Sequence, residues 1–424
     1  MSRARAIAAG LACAIAAGAA RAEAPRTVVV LLFDGFPPAA VERWSTPALH
    51  RLEREGLRTE IEPPFPSISL PSQTTISTGC WPSHHGVVSN EFLDPVRGAY
   101  DHQTDADWLT GCEHLQQAAT RQGVVTAALG WVGARSATRG PQARIVDPDR
   151  PRCAGGKAVD TEDPWRGDEV GRLLLQQPEV RPHLILAYFC GPDDALHFRG
   201  PDADETRQAV EQSDTIVQRV LQTIERLADR DRVTLLVTTD HGMTDVSSVV
   251  NVRRILGRAG IEGRVFSSGT TSFVYLDDPA RAEDAQRALA SYGAFDVLRK
   301  SALPAWANLG DGPRVGDLIL SAHPPYFIED LKRWPSWLQW LGDWGPDLIP
   351  ARFSLVASHG YPPDTPGMRG IFYAWGSGIA RGGKVDKVRA VDVHPTVARL
   401  LGIQPGEPVD GQVERGLLAK EETP

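Results

Sequence analysis

Residues Thr27–Phe33 (TVVVLLF) are β-branched or apolar without a break, the pattern of a strand buried on both faces. Val124–Leu129, Leu184–Phe189 and Val233–Thr238 repeat it. Helical spacings lie between them: Pro37–Glu55, stopped by Gly56, and a long amphipathic run from Asp202 to Ala228. Alternation of this kind predicts an α/β fold, a mostly parallel sheet with helices on both faces. The stretch from about 247 to 351 reads differently, with short strands, one helix and then a Trp-rich patch. It is expected to be a small cap inserted into a main domain of residues 23–424. In the patch, Trp334, Trp337, Trp340 and Trp344 lie beside Leu331, Leu338 and Leu341. Such a stripe fits a helix packed on the body better than a substrate rim or lipid-facing surface.

The 424 residues are 42% hydrophobic and 23% charged, which excludes a disordered, collagen-like or coiled-coil chain. The net charge of -8 argues against nucleic-acid binding. Arg3 and Arg5, an uncharged run from Ala6 to Ala20, and the small-x-small site Ala20-Arg21-Ala22 have the layout of a signal peptide over residues 1–22. Its apolar run is short for a span, and no later stretch reaches roughly 18 apolar residues, so no transmembrane segment is expected after cleavage. Loss of Arg3, Arg5 and Arg21 takes the charge from -8 to -11. The product is expected to be periplasmic or secreted. Cys13 leaves with the signal. Cys80, Cys112, Cys153 and Cys190 can then form two disulfides in an oxidising compartment, with three pairings open.

Three acids share one location. Asp34 follows the first strand, Asp193 follows LILAYFCGP, and Asp240 follows TLLVTT. Ligands of an open α/β sheet bind along that carboxyl edge. Each Asp alone reads as a turn residue, but three converging carboxylates repel unless a cation lies between them. His197 stands one helical turn after Asp193, His241 is adjacent to Asp240, and His359 lies in SHGY. Asp and His without Cys suit zinc or manganese, and two clusters suggest two divalent ions. His50, His114 and His183 read as ordinary surface or packing residues. In FPSISLPSQTTISTG, Pro71 opens a helical pattern that ends at Gly79. Ser69 just before it would meet backbone N–H groups that attract phosphate, although Ser67 or Ser69 also reads as a plain helix cap.

The ordered segments FDG, FPSISLPSQTTISTGCWPSHHGVVSN, PDDALHFRGP, TTDHGM and SHGY resemble the nucleotide pyrophosphatase/phosphodiesterase (type I phosphodiesterase) family of the alkaline phosphatase superfamily. The later DVHPTVARLLGI resembles a helix that closes that fold. The resemblance implies an alkaline-phosphatase-like fold and a phosphodiester or pyrophosphate hydrolase with two divalent metal ions, zinc in the first place. By position, the family's nucleophile, usually Thr, matches Ser69. One metal site matches Asp34, Asp240, His241 and the Ser69 oxygen, and the other matches Asp193, His197 and His359. Asn90 matches the Asn that contacts the substrate phosphate. The implied chemistry is in-line displacement at Ser69 without a general base, through a phosphoseryl intermediate, with Asn90 and the Leu70 amide on the phosphoryl oxygens.

The sequence also departs from the family. Leu70 replaces the aromatic that stacks on a nucleotide base, and Ser72-Gln73 replaces the common Asn-His. The expected partner is therefore a small phosphoester, either a nucleotide or a lipid-type head group. Arg135 in WVGAR replaces an acid and resembles half of a Lys-x-Arg pair of monoesterases, with Gly133 at the Lys position. It is a candidate substrate-binding residue, which makes a phosphate monoesterase the main rival. A sulfatase would want Arg where Gln73 stands, and a non-catalytic member would be expected to have lost ligands.

Overall fold

The computed structural model describes residues 26–102, 108–147, 153, 162–328, 346–351 and 355–420. The signal segment 1–22 and the Trp334–Trp344 patch lie outside them. The main sheet has eight strands, in the order Val388–Arg389, Leu57–Glu62, Gly370–Gly376, Val233–Thr239, Thr27–Phe33, Leu184–Phe189, Thr126–Leu129 and Ile145–Val146. Only Gly370–Gly376 runs against its neighbours; the rest are parallel.

Side chains of Thr27–Phe33 alternate between two cores, as a pleated strand must. Val29, Leu31 and Phe33 pack with Val217 and Val220 of helix Asp204–Glu225 and with Leu173 of helix Glu162–Leu174. Val28, Val30 and Leu32 pack on the other face with Val393 and Val397 of helix Ala390–Leu401. Each such buried side chain contributes about 1.5–3 kcal/mol, so this strand is held from both faces. Its register with both neighbours is level. Phe33 stands opposite both Phe189 and Thr239, so all three strands end side by side.

The helical run expected at Pro37–Glu55 is two helices, Pro38–Arg43 and Pro47–Glu55. Thr46 precedes Pro47, whose ring disfavours helical geometry there, and it sits at φ -131°, ψ 60°. Gly56 does end the second helix, but not as a left-handed cap: a Cβ there would lie 2.3 Å from the Ala374 carbonyl oxygen.

Between Val246 and Ala351 the chain builds a four-stranded antiparallel sheet and a three-stranded sheet around an apolar cluster of their own. Phe273 and Ile319 of the four-stranded sheet join Phe65, Leu70 and Val87 in another cluster, which brings this region against the start of helix Ser69–Thr78. The disulfides are Cys80–Cys112 and Cys153–Cys190, one of the three pairings left open by the sequence. No described helix is long and apolar enough to cross a membrane.

Candidate active site

Ser69 is the first residue of helix Ser69–Thr78, after Ile68 in extended conformation. The sequence suggested a start at Pro71. Pro71 instead sits in the first turn, where its missing N–H costs nothing. Neither serine caps the helix through its side chain: the Ser67 hydroxyl donates to the Tyr361 carbonyl, and Ser69 Oγ lies 3.4 Å from Asp34 Oδ1 and 3.1 Å from His241 Nε2.

Level strand ends bring Asp34 and Asp240 together, and Asp193 opens the short helix Asp193–Arg199 beyond the third strand. His197 follows one turn later, its Nε2 3.4 Å from Asp193 Oδ1, while His359 Nε2 lies 3.8 Å from the same oxygen. His241 Nε2 lies 3.3 Å from Asp34 Oδ1 and 3.7 Å from Asp240 Oδ1. The His241 and His359 rings stack at 3.6 Å. The seven positions grouped from sequence order thus meet in one place.

All three imidazoles are oriented alike. His197 Nδ1 bonds the Ala357 carbonyl at 2.7 Å, His241 Nδ1 that of Gly242 at 2.9 Å, and His359 Nδ1 that of Ser67 at 3.0 Å. A carbonyl only accepts, so each Nδ1 carries a hydrogen and each Nε2 faces inward, where it offers a lone pair whenever the ring is neutral. Metal-binding histidines are typically held this way. Asp193 Oδ1 is buried and accepts no hydrogen bond. An orphaned carboxylate oxygen facing these nitrogens fits a divalent cation: ligand atoms of Asp34, Asp240 and His241 lie within 4.8 Å of one another, as do those of Asp193, His241 and His359, and His197 Nε2 stands 3.4 Å from Asp193 Oδ1.

Without cations the electrostatics conflict. Burial and the neighbouring Asp34 raise the Asp193 and Asp240 carboxyls above the usual carboxylate range. Burial lowers His197 to about 4 and holds His359 well below its ordinary value. Burial opposes protonation of His241, but Asp240 and Asp34 outweigh it and raise that group to about 10. Bound positive charge would bring Asp193, Asp240 and His241 back down, and the lowered His197 and His359 are already neutral and ready to donate a lone pair to it.

The site opens into a cavity of about 630 Å³, lined by Leu70, Asn90, Phe198, Ser268, Phe327 and Leu355 among others. Glu91, Asp101 and His102 form a partly exposed acidic group on its rim. Asn90 accepts a 2.9 Å hydrogen bond from the Leu70 amide at Oδ1, so its amide nitrogen remains the donor to a ligand. The expectation that the Leu70 amide itself contacts phosphoryl oxygens is corrected: that N–H is spent on orienting Asn90.

Arg135 is also corrected. It is exposed, donates to the Asp147 carbonyl at 3.0 Å and does not line the cavity. It follows a strand two places from the centre of the sheet. Gly133 adds a steric reason. At φ +67°, a Cβ there would lie 2.1 Å from His114 Nε2, so no side chain fits where a monoesterase would carry Lys. Two residues that the sequence did not assign a role complete the site. Gln73 and Tyr188 both bond Asp34, and Gln73 also bonds Asp240. Tyr188 stands out in LILAYF only as the one polar side chain of a buried strand.

The fold is alkaline-phosphatase-like, and the donor set at its strand ends could hold a metal ion. The family model for type I phosphodiesterase/nucleotide pyrophosphatase matches residues 28–361. The chain belongs to that family and is a phosphodiester hydrolase. It is 26% identical over 414 residues to an uncharacterised pyrophosphatase/phosphodiesterase of Schizosaccharomyces pombe, covering 92% of this chain and 80% of that one. It is 27% identical over 401 residues to ectonucleotide pyrophosphatase/phosphodiesterase family member 7 of Homo sapiens, covering 91% and 82%. A solved structure of inactive murine ectonucleotide pyrophosphatase/phosphodiesterase 5 in complex with AMP matches at TM-score 0.78 and 21% identity, covering 93% of this chain and 100% of that chain.

Proposed function

We propose that this chain hydrolyses small phosphodiesters by in-line attack of Ser69 at phosphorus, with zinc at two positions held by Asp34, Asp240 and His241 and by Asp193, His197 and His359. When bound, the cations supply charge neutralisation at the attacking and departing oxygens. Ser69 Oγ forms the new P–O bond while the ester bond to the leaving group breaks and the serine proton ends on the departing alcohol; the phosphoseryl intermediate keeps the other ester group, and water then releases it as a monoester and restores the hydroxyl. Asn90, oriented by the Leu70 amide, donates to a phosphoryl oxygen. The observation that carries the reading is the common orientation of the three imidazoles, each Nδ1 on a backbone carbonyl and each Nε2 turned toward buried carboxylates.

The region 247–351 acts as a cap in this reading, since Ser268 and Phe327 complete the cavity wall. The murine relative holding AMP supports a nucleotide substrate. Leu70 in the aromatic position favours a lipid-type head group equally. A diester is preferred over a monoester because Gly133 leaves no room for a Lys and Arg135 is bonded to the Asp147 carbonyl rather than lining the cavity. Two disulfides support export to the periplasm or beyond after removal of residues 1–22. The test is zinc-loaded Ser69→Ala on a matched chromogenic diester and monoester. Wild type is expected to prefer the diester, and the variant to bind zinc yet lose roughly 10³-fold or more of the rate. Near-normal turnover by the variant removes the nucleophile, and a dominant monoester rate removes the substrate class.

A further inference from the structure

Gln73 lies one helical turn after Ser69 on the same face of helix Ser69–Thr78 and is fully buried. Its Nε2 lies 3.3 Å from Asp34 Oδ2 and 2.5 Å from Asp240 Oδ2. An amide nitrogen carries two hydrogens, and here two carboxylates from adjacent strands take one each. Asp34 Oδ2 also accepts from the Tyr188 hydroxyl. That oxygen is therefore occupied, and Oδ1 is the one that faces Ser69 Oγ and His241 Nε2. On Asp240, the Gly35 and His241 amides hold Oδ1 at 3.2 and 3.0 Å while Gln73 holds Oδ2. The neutral amide orients both acids without cancelling the charge that draws a cation. It also sits on the same rigid helix as the nucleophile.

We infer that Gln73 is a positioning residue that ties Asp34 and Asp240 into one ligand pair, with Tyr188 as a weaker second tie on Asp34, and so strengthens cation binding in the Asp34/Asp240/His241 half alone. The inference rests on the metal-site reading above. The asymmetry supports it, since the orphaned Asp193 Oδ1 of the other half has no such donor.

Zinc titration of the metal-stripped full chain by calorimetry and chelator competition tests it. Asp240→Ala first identifies which binding event belongs to this half. Gln73→Met keeps the volume and removes the donor, and it is expected to weaken that event roughly 10–100-fold while leaving the other unchanged. Tyr188→Phe is expected to weaken the same event by less, because it frees one carboxylate rather than two. Melting of the metal-free variants is read alongside, because a purely structural role moves the melting temperature and both events together. Equal weakening of both events, or none, overturns the inference. If Gln73→Met does not fold, unchanged affinity in Tyr188→Phe overturns it instead. A wild type that takes up no zinc sinks the metal reading and this inference with it, whereas two intact events in Gln73→Met sink this inference alone.

Discussion

The two halves of the site use similar side chains in different surroundings. Asp34, Asp240 and His241 are almost wholly enclosed, and the oxygens of both acids are aimed by Gln73, Tyr188 and backbone amides. Asp193, His197 and His359 retain 17%, 13% and 9% side-chain exposure, and the inner oxygen of Asp193 has no donor. The first half is organised by the protein before any ion arrives. In the proposed reading, the second leaves one carboxylate oxygen for a cation to satisfy. Burial with complete hydrogen bonding gives a rigid receptor, while burial with one partner missing gives an exchangeable one.

The largest test of this contrast removes one candidate ligand from each half. Asp240→Ala is expected to cost at least roughly 10²–10³-fold in diester hydrolysis, and excess zinc should not restore it. His197→Ala should lose less and recover in part as zinc is raised, measured by rate against free zinc. Equal, unrescuable losses would erase the distinction.

A smaller effect comes from Gly35→Ala. Gly35 has φ +59°, and a Cβ there would lie 2.5 Å from Asp193 Oδ1. The left-handed conformation alone costs about 1–2 kcal/mol. The overlap should displace Asp193 and lower zinc content toward one ion per chain, with the half held by Gln73 still loaded.

The smallest expected effect shows buried imidazoles that serve no ion. Burial lowers His85 and His114 to about 3 and His394 to about 4. The unfolded chain takes up these protons near 6.5 and the folded chain does not, so stability falls as pH drops from about 6.5 toward 4. The slope is on the order of 1 kcal/mol per pH unit for each group. In metal-free protein, His114→Asn should melt with a visibly shallower pH dependence than wild type. An unchanged slope would mean that His114 is not buried in its neutral form.

Much of this was readable in the chain. Unbroken apolar runs gave the central strands within a residue or two, and strand ends located Asp34, Asp193 and Asp240. Helix breaks were harder, because the effect of Pro47 on Thr46 is local and competes with a good helical pattern on either side. The partners of the histidines were not legible at all: the carbonyls of Ala357, Gly242 and Ser67 carry no trace of residue identity. Gln73 was visible only as a departure from the family pattern, since a clamp across two strands depends on their register. Arg135 was misplaced because sequence distance from Trp131 does not reveal how far the strand Thr126–Leu129 stands from the sheet centre.

The contact between Gly133 and His114 restricts how this enzyme can change. His114 shares the Ser77 hydroxyl with Trp131, and Ser77 belongs to the helix that starts at Ser69. A side chain at 133 meets both a left-handed backbone and the His114 ring, so a smaller residue at 114, which would also release Ser77, removes only one of the two obstacles. Substitutions at 133 and 114 are therefore expected to be non-additive in stability, because they share one contact.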